Sequence, residues 1–97
     1  MSAEMDALVN QATEKLEHLE EALDSLQKVR ARYSTDDGTV TAEVDGNGAL
    51  VGLWLDESIT EKAAKDVGEL ITAVSQQAAQ LAAQKRAEVL DRLNAAF

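Results

Sequence analysis

The segment from Gly38 to Asp56 constrains the fold of this sequence most, because it is the only part without a helical pattern. Its first half alternates polar and apolar residues from Thr39 to Val44, which is typical of a strand with one buried face. A cluster of residues that tolerate positive φ follows at positions 45–48, and a second β-rich run extends over positions 49–55. The segment therefore predicts a β-hairpin with strands over about 39–45 and 49–55.

The hairpin also has a predicted register. A two-residue loop at Gly46-Asn47 would pair Val44 with Ala49 and place Trp54 opposite Thr39. One face of the hairpin is then apolar throughout, and it consists of Val40, Ala42, Val44, Ala49, Val51, Leu53 and Leu55. The need to cover this face fixes the register, because a slip by one residue would scatter the apolar side chains. Trp54 lies on the other face, where we expect a second subunit or a helix to shield it; the alternative is an exposed anchor for a protein partner.

A long helical pattern precedes the hairpin. Apolar residues recur at alternating steps of four and three, as in a coiled coil, and predict a helix over about 3–31. We refer to these residues as the leucine seam, which consists of Met5, Val9, Ala12, Leu16, Leu19, Leu23 and Leu26. Such a helix is roughly 40 Å long, more than so small a domain covers alone. We therefore expect the seam to pack against a helix of this chain or of another copy.

A second helical pattern follows the hairpin, over about 59–95. Ser58 and Asp66 both open capping-box sequences, so either a short helix precedes a long one, or one helix bends near Gly68. A β-prone stretch over about 32–35 precedes the hairpin and ends in a strong turn sequence. Together these elements predict a single α+β domain over residues 1–97, built from a helix, a three-stranded antiparallel meander and a helix.

The composition excludes most catalytic chemistry. The chain has no cysteine, and His18 is its only histidine, so neither a thiolate site nor a serine triad is available. A metal site at Glu14, His18 and Glu21 is sterically conceivable, but a solvated acidic helix face accounts better for these residues. No apolar run approaches the roughly 20 residues of a membrane span. We expect a cytoplasmic, non-enzymatic protein without metal, cofactor, small-molecule substrate or membrane partner.

Charge is distributed unevenly along the chain, whose net charge is −9. Residues 1–26 contain one lysine and seven acidic residues, a net −6. Two basic clusters follow, one at the end of the first helix and one on the last helix; they are Lys28, Arg30 and Arg32, and Lys85, Arg86 and Arg92. Each cluster could contact DNA phosphates or pair with the surplus carboxylates of this chain, and the sequence favours neither.

Three short motifs carry a resemblance to a known family. They are Asp37-Gly38-x-Val40-x-Ala42-x-Val44, Gly46-x-Gly48 and Leu53-x-Leu55-Asp56, and an alanine-rich terminal helix follows them. In these motifs and in its order of elements the chain resembles the YbaB/EbfC family of small bacterial nucleoid-associated proteins. Its acidic version of the first motif is similar to a divergent branch from high-GC Gram-positive bacteria, which includes proteins encoded beside type VII secretion systems. The resemblance implies an intertwined homodimer with a β core and projecting helices that binds DNA.

Two functions therefore stay open at this point. The resemblance favours a nucleoid-associated homodimer that binds DNA with little sequence specificity. The acidity favours a protein-binding adaptor or chaperone-like dimer, such as one associated with type VII secretion. In either case we expect the core and the dimer interface to consist of Leu16, Leu19, Leu23, Leu26, Val40, Val44, Val51, Leu53, Trp54 and Leu55.

Overall fold

A computed structural model describes residues 2–97 as an elongated molecule of 75 × 17 × 17 Å. Its elements are helix α1 (Ala3–Gln27), strands β1 (Arg30–Ser34), β2 (Val40–Asp45) and β3 (Leu50–Leu55), a 3₁₀ turn (Glu57–Glu61) and helix α2 (Ala64–Ala96). The three strands form one antiparallel sheet in the order β1-β2-β3. The predicted α+β fold, a helix, a three-stranded meander and a helix, is confirmed. Within residues 2–97, neither helix is long and apolar enough to cross a membrane.

The first helix is shorter than predicted, and the first strand begins earlier. The prediction extended the helix to about residue 31, whereas α1 ends at Gln27 and Lys28 caps it. Strand pairing explains the difference: β1 begins at Arg30, and Ala31 pairs with Val44 in β2. Ala31 is only 2% exposed on the inner face of the sheet, so its burial favours the strand over another turn of helix.

After the sheet a short 3₁₀ helix precedes the long helix, which is one of the two predicted alternatives, but the residues that cap them differ from the predicted ones. The Asp56 carboxylate accepts a hydrogen bond from the Ser58 backbone N–H (3.1 Å) and caps the 3₁₀ turn. Ala63 then precedes α2 without a side-chain cap, so neither Ser58 nor Asp66 opens this helix. From there α2 continues through Gly68 without interruption.

The register between β2 and β3 differs from the predicted one by one residue next to the turn, where Val44 lies opposite Leu50, and by two residues farther along the strands. Val40 lies opposite Leu55 and Ala42 opposite Leu53, while Trp54 lies opposite Thr41. The two-residue-loop prediction was therefore wrong. Because the shift farther along is an even number of residues, Leu53 and Leu55 still share the inner face with Val40 and Ala42.

Two separate one-residue additions cause this shift. At the turn, positive φ falls on Gly48 (81°) and not on the residues at 46 and 47, so the loop has three residues and the Asp45 N–H donates to the Ala49 carbonyl (3.0 Å). Beyond the turn, the pairing skips from Leu50 to Gly52, and Val51 has no partner residue on β2. This second addition is a β-bulge.

Small residues form the core between the sheet and α2. From β1 and β2 the buried side chains are Ala31, Val40, Ala42 and Val44, and from α2 they are Val74, Ala78, Ala82 and Val89. Helix α2 packs against β1 and β2 and leaves β3 largely uncovered. As a result the β3 residues stay 38–50% exposed; we call Leu50, Val51, Leu53, Trp54 and Leu55 the β3 strip. Of the predicted core residues, only Val40 and Val44 are buried within this chain.

Helix α1 packs against the C-terminal part of α2 but not through its leucine seam. Ala22, on the flank of the seam, is the residue of α1 that becomes buried. Near the other end of this contact the Lys15 ammonium lies 5.8 Å from the Phe97 ring centroid. The seam residues Leu16 and Leu23 are 55% and 52% exposed, Leu19 is 38% exposed, and Leu26 is half-buried. The chain alone therefore leaves most of the seam uncovered.

Asp37 organises the loop between β1 and β2. Its Oδ1 accepts hydrogen bonds from the hydroxyls of Thr35 (2.7 Å) and Thr39 (2.8 Å) and from the Thr39 backbone N–H (3.1 Å). Gly38 adopts a φ of 72°, which suits glycine. The hydrogen bonds favour the ionised carboxylate and lower the pKa of Asp37 from 3.8 to about 2.

We expect Asp37→Asn to destabilise the protein more at neutral pH than in acid. Because the pKa of folded Asp37 lies below its unfolded value, the ionised group adds stability above pH 3.8 that is lost as the pH falls through about 2. Urea midpoints of wild type and variant should therefore converge as the pH is lowered. Asp36→Asn removes the same charge from the neighbouring residue and is the matched control. This account would be contradicted if the urea midpoints of wild type and the Asp37 variant differed by the same amount at every pH.

Candidate nucleic-acid interface

Three of the six predicted basic residues meet at one place. Arg30, Lys85 and Arg86 lie where the end of α1, the start of β1, the β2–β3 turn and α2 converge, and we call them the neck cluster. The Lys85 ammonium donates a hydrogen bond to the Arg30 carbonyl (2.6 Å), which joins α2 to the first residue of β1. These residues are 55 positions apart in sequence, so only the fold unites them.

An open cavity of ≈ 390 Å³ lies beside the cluster, and its lining includes Arg30, Arg86, Asp45, Gly46 and Asn47. The Arg30 guanidinium donates to the Val29 carbonyl (2.7 Å) and so is held at the end of α1. Gly46 fits tightly here, because a Cβ atom added to it would lie 3.1 Å from the Leu26 carbonyl oxygen. The turn therefore packs directly against the end of α1, and it fixes one wall of the cavity.

The remaining basic residues are spread around this place. Lys28, at the C-cap of α1, forms an ion pair with Asp24 (2.9 Å). Arg32 projects from the outer face of the sheet, where its Nη2 lies 3.4 Å from the Glu43 carboxylate. Arg92 lines a cleft between the two helices together with His18 and Glu21. Across residues 2–97, no three histidine or acidic side chains gather closely enough to hold a metal ion.

The contacts of the six cations separate them into three pairs. Lys28 and Arg32 have carboxylate partners, whereas Arg30 and Lys85 donate to backbone carbonyls and keep an uncompensated charge. In the described part of the chain, neither Arg86 nor Arg92 has an ion pair or a side-chain hydrogen bond. Arg86 therefore combines an unpaired charge with a position in the neck cluster.

Trp54 lies flat on the outer face of the sheet. Its indole covers Gly52 so closely that a Cβ atom there would lie 2.6 Å from the ring. The Arg32 guanidinium stacks on the indole at 4.2 Å from the ring centroid, where the face of the ring attracts its positive charge. Trp54 nevertheless stays 47% exposed, and α2 packs on the opposite face. The expectation that a helix of this chain shields Trp54 was wrong. Two alternatives remain: a second subunit shields it, or it is an exposed anchor for a protein partner.

Sequence reasoning missed the carboxylate partners of the basic residues. Asp24 precedes Lys28 by four positions, a spacing that favours ion pairs on a helix and that could have been recognised. The pair between Arg32 and Glu43 depends on the strand register, in which these two residues lie directly opposite each other. Without that register the second pair had no signal in the sequence.

The chain is similar to known proteins along its length. A family model described as the YbaB/EbfC DNA-binding family matches residues 1–97. Among solved structures, the crystal structure of the uncharacterized protein HP0035 from Helicobacter pylori matches with a TM-score of 0.58 at 18% identity, covering 86% of this chain and 94% of that chain. At this identity the likeness concerns the fold alone. No curated protein matches the sequence.

Proposed function

Because the chain belongs to the YbaB/EbfC DNA-binding family, we propose that it is a non-enzymatic, nucleoid-associated protein that binds DNA as a homodimer with little sequence specificity. The neck cluster is the observation that carries this proposal. Arg30 and Arg86 line one open cavity, Lys85 joins them through its hydrogen bond to the Arg30 carbonyl, and the charge of Arg86 has no partner in the described chain. Cations that contact phosphates bind DNA of any sequence, which accounts for the low specificity.

The acidity of the chain limits how tightly it can bind DNA. A homodimer would carry twice the net charge of −9, and its long-range field would repel phosphates. At physiological ionic strength this field decays over about 8 Å, so a local cluster of cations can still act. We therefore expect weak binding that neutralises few phosphates, with an affinity that falls along a shallow slope as salt is added.

The uncovered apolar surfaces support the homodimer. The β3 strip borders the open edge of the sheet, and an exposed apolar edge strand favours pairing with another chain. The leucine seam on α1 is a second apolar surface that this chain does not cover. An interface that includes strands as well as helices would bury both surfaces and would shield Trp54.

We expect Arg86→Gln to weaken DNA binding about tenfold at low salt, and equally on duplexes of different sequence, since the variant loses one charged phosphate contact. The slope of affinity against salt should become shallower by about 0.9. Fluorescence anisotropy with a labelled duplex at about 50 and 150 mM salt measures both effects. Lys65→Gln, an exposed cation in the first turns of α2, is the charge-matched control.

Several outcomes would contradict the proposal. If the intact dimer binds no duplex even at low salt, the DNA-binding function is wrong. If Arg86→Gln and Lys65→Gln weaken binding equally, the neck cluster is not the contact site. Substituting Lys85, Arg86 and Arg92 together by glutamine, in parallel with Lys28, Arg30 and Arg32, then identifies the cluster that carries the binding.

A protein-binding adaptor is the second candidate function, and one observation favours it. The leucine seam is exposed on a helix whose residues 1–26 carry a net −6, which would suit a partner that is both apolar and basic. Such an adaptor, for example one associated with type VII secretion, would keep its dimer intact but bind no duplex DNA in the same anisotropy experiment.

A further inference from the structure

We propose that Asp24 and Glu43 compete with DNA phosphates for Lys28 and Arg32, and that this competition sets the DNA affinity of the protein. The inference rests on the proposed function, because it concerns the cations beside the neck cluster. Lys28 precedes Arg30 by two residues and Arg32 follows it by two. Along an extended chain these positions lie within roughly 13 Å of one another, so a DNA backbone at the neck could reach them.

Both ion pairs are positioned where a phosphate could replace the carboxylate. The pair between Lys28 and Asp24 lies on the surface, with side chains 74% and 58% exposed. Arg32 is 57% exposed, and it faces Glu43 across the two strands while its guanidinium stacks on Trp54. Exposed ion pairs are weak, so phosphate can displace Asp24 from Lys28; the Glu43 side chain is only 26% exposed, and phosphate competes with it from the exposed side of Arg32. The fold therefore allows Lys28 and Arg32 to bind either a carboxylate of this chain or a phosphate.

The helix dipole does not account for the position of Asp24. It lies in the last turn of α1, where the helix dipole disfavours negative charge. Its ion pair with Lys28, four residues later, offsets this unfavourable interaction, and the same pair neutralises the cation next to the neck cluster. Glu43 has the matching position on the sheet, opposite Arg32 in the β1–β2 register.

A cation that already has a carboxylate partner adds little to DNA binding. Affinity for DNA comes largely from the release of counterions when cations neutralise phosphates. Phosphate that displaces Asp24 or Glu43 exchanges one anion for another, and the freed carboxylate lies next to the DNA backbone and repels it. The two pairs therefore lower both the affinity and the number of phosphates that the protein neutralises.

The test is the double substitution Asp24→Asn and Glu43→Gln, compared with Asp6→Asn and Glu14→Gln. Both variants remove two negative charges, but Asp6 and Glu14 have no ion pair in the described chain, and Glu14 lies roughly 21 Å from Lys28 along α1. We expect the first variant to bind a labelled duplex about fivefold more tightly at low salt, with a salt slope steeper by up to about 2. The control should gain less than about twofold and keep its slope, because its charges act only through the screened field.

The outcomes separate this inference from the function on which it rests. If wild type binds DNA and the two variants gain affinity equally, without a change in slope, the competition is wrong and the function stands. If neither wild type nor either variant binds, the DNA-binding function fails and the competition fails with it. Circular dichroism and sedimentation of each variant establish that fold and assembly are unchanged.

Discussion

Replacing Val51 and Leu53 together by glutamate should unfold the protein at micromolar concentration instead of releasing a folded monomer. In the single chain these side chains are 50% and 38% exposed, and substitutions on an ordinary surface change stability by only about 0.5 kcal/mol. If the β3 strip is the dimer interface, both carboxylates must instead be buried or the interface lost. Burying an unpaired charge costs several kcal/mol, which is comparable to the roughly 5–15 kcal/mol that stabilises a small domain.

The measurement is thermal unfolding over a wide range of protein concentration, together with sedimentation. Wild type should unfold at a temperature that rises with concentration, because folding and assembly would be one event. Gln76→Glu with Gln80→Glu adds the same charges to exposed positions of α2 and should leave the unfolding temperature within a few degrees of wild type. A well-folded monomer of the Val51 and Leu53 variant would refute an obligate dimer.

The order of elements was predictable because the hairpin is the one segment with a period of two. The register was not, because it depends on which residue of the turn takes positive φ. A two-residue loop would have used Gly46 and Asn47, but the chain uses Gly48 and then adds a bulge at Val51. Each event adds one residue, so the predicted face is correct for Leu53 and Leu55, beyond both additions, but wrong for Leu50, which lies between them and opposite the inner residue Val44.

The core residues were predicted less well, for a reason that lies in helix geometry. Periodicity detects large apolar side chains, and on α1 it detected the leucine seam. Close approach of α2 instead uses the small residue Ala22 on the flank, which leaves Leu16 and Leu23 about half exposed. Periodicity therefore identified the apolar surface of α1 but not the element that packs against it.

The candidate site was predictable residue by residue but not as an arrangement. Both basic clusters are evident in the sequence, yet the contact of Lys85 with Arg30 depends on how α2 crosses β1. The fold also determines which cations have a carboxylate partner and which do not. Arg86 has no partner in the described chain, while Arg32 is paired across the sheet.

Ala78→Leu should destabilise the protein by about 3 kcal/mol or prevent it from folding. Ala78 is 0% exposed between α2 and the sheet, where Val44 and Ala31 are its core neighbours. A leucine at this position adds three carbon atoms to a contact that only small residues allow, so α2 would have to move away from β1 and β2. That movement would also strain the hydrogen bond from Lys85 to the Arg30 carbonyl, and with it the neck cluster.

Ala87→Leu provides the matched control for this substitution. Ala87 is exposed and lies nine residues after Ala78, on the opposite face of α2 at 3.6 residues per turn. Leucine and alanine are both good helix formers, so this variant should stay within about 0.5 kcal/mol of wild type. Urea unfolding followed by circular dichroism compares the two variants directly. Equal stability of both would mean that α2 does not pack on the sheet through its alanines, and the neck cluster would then lose the contact that assembles it.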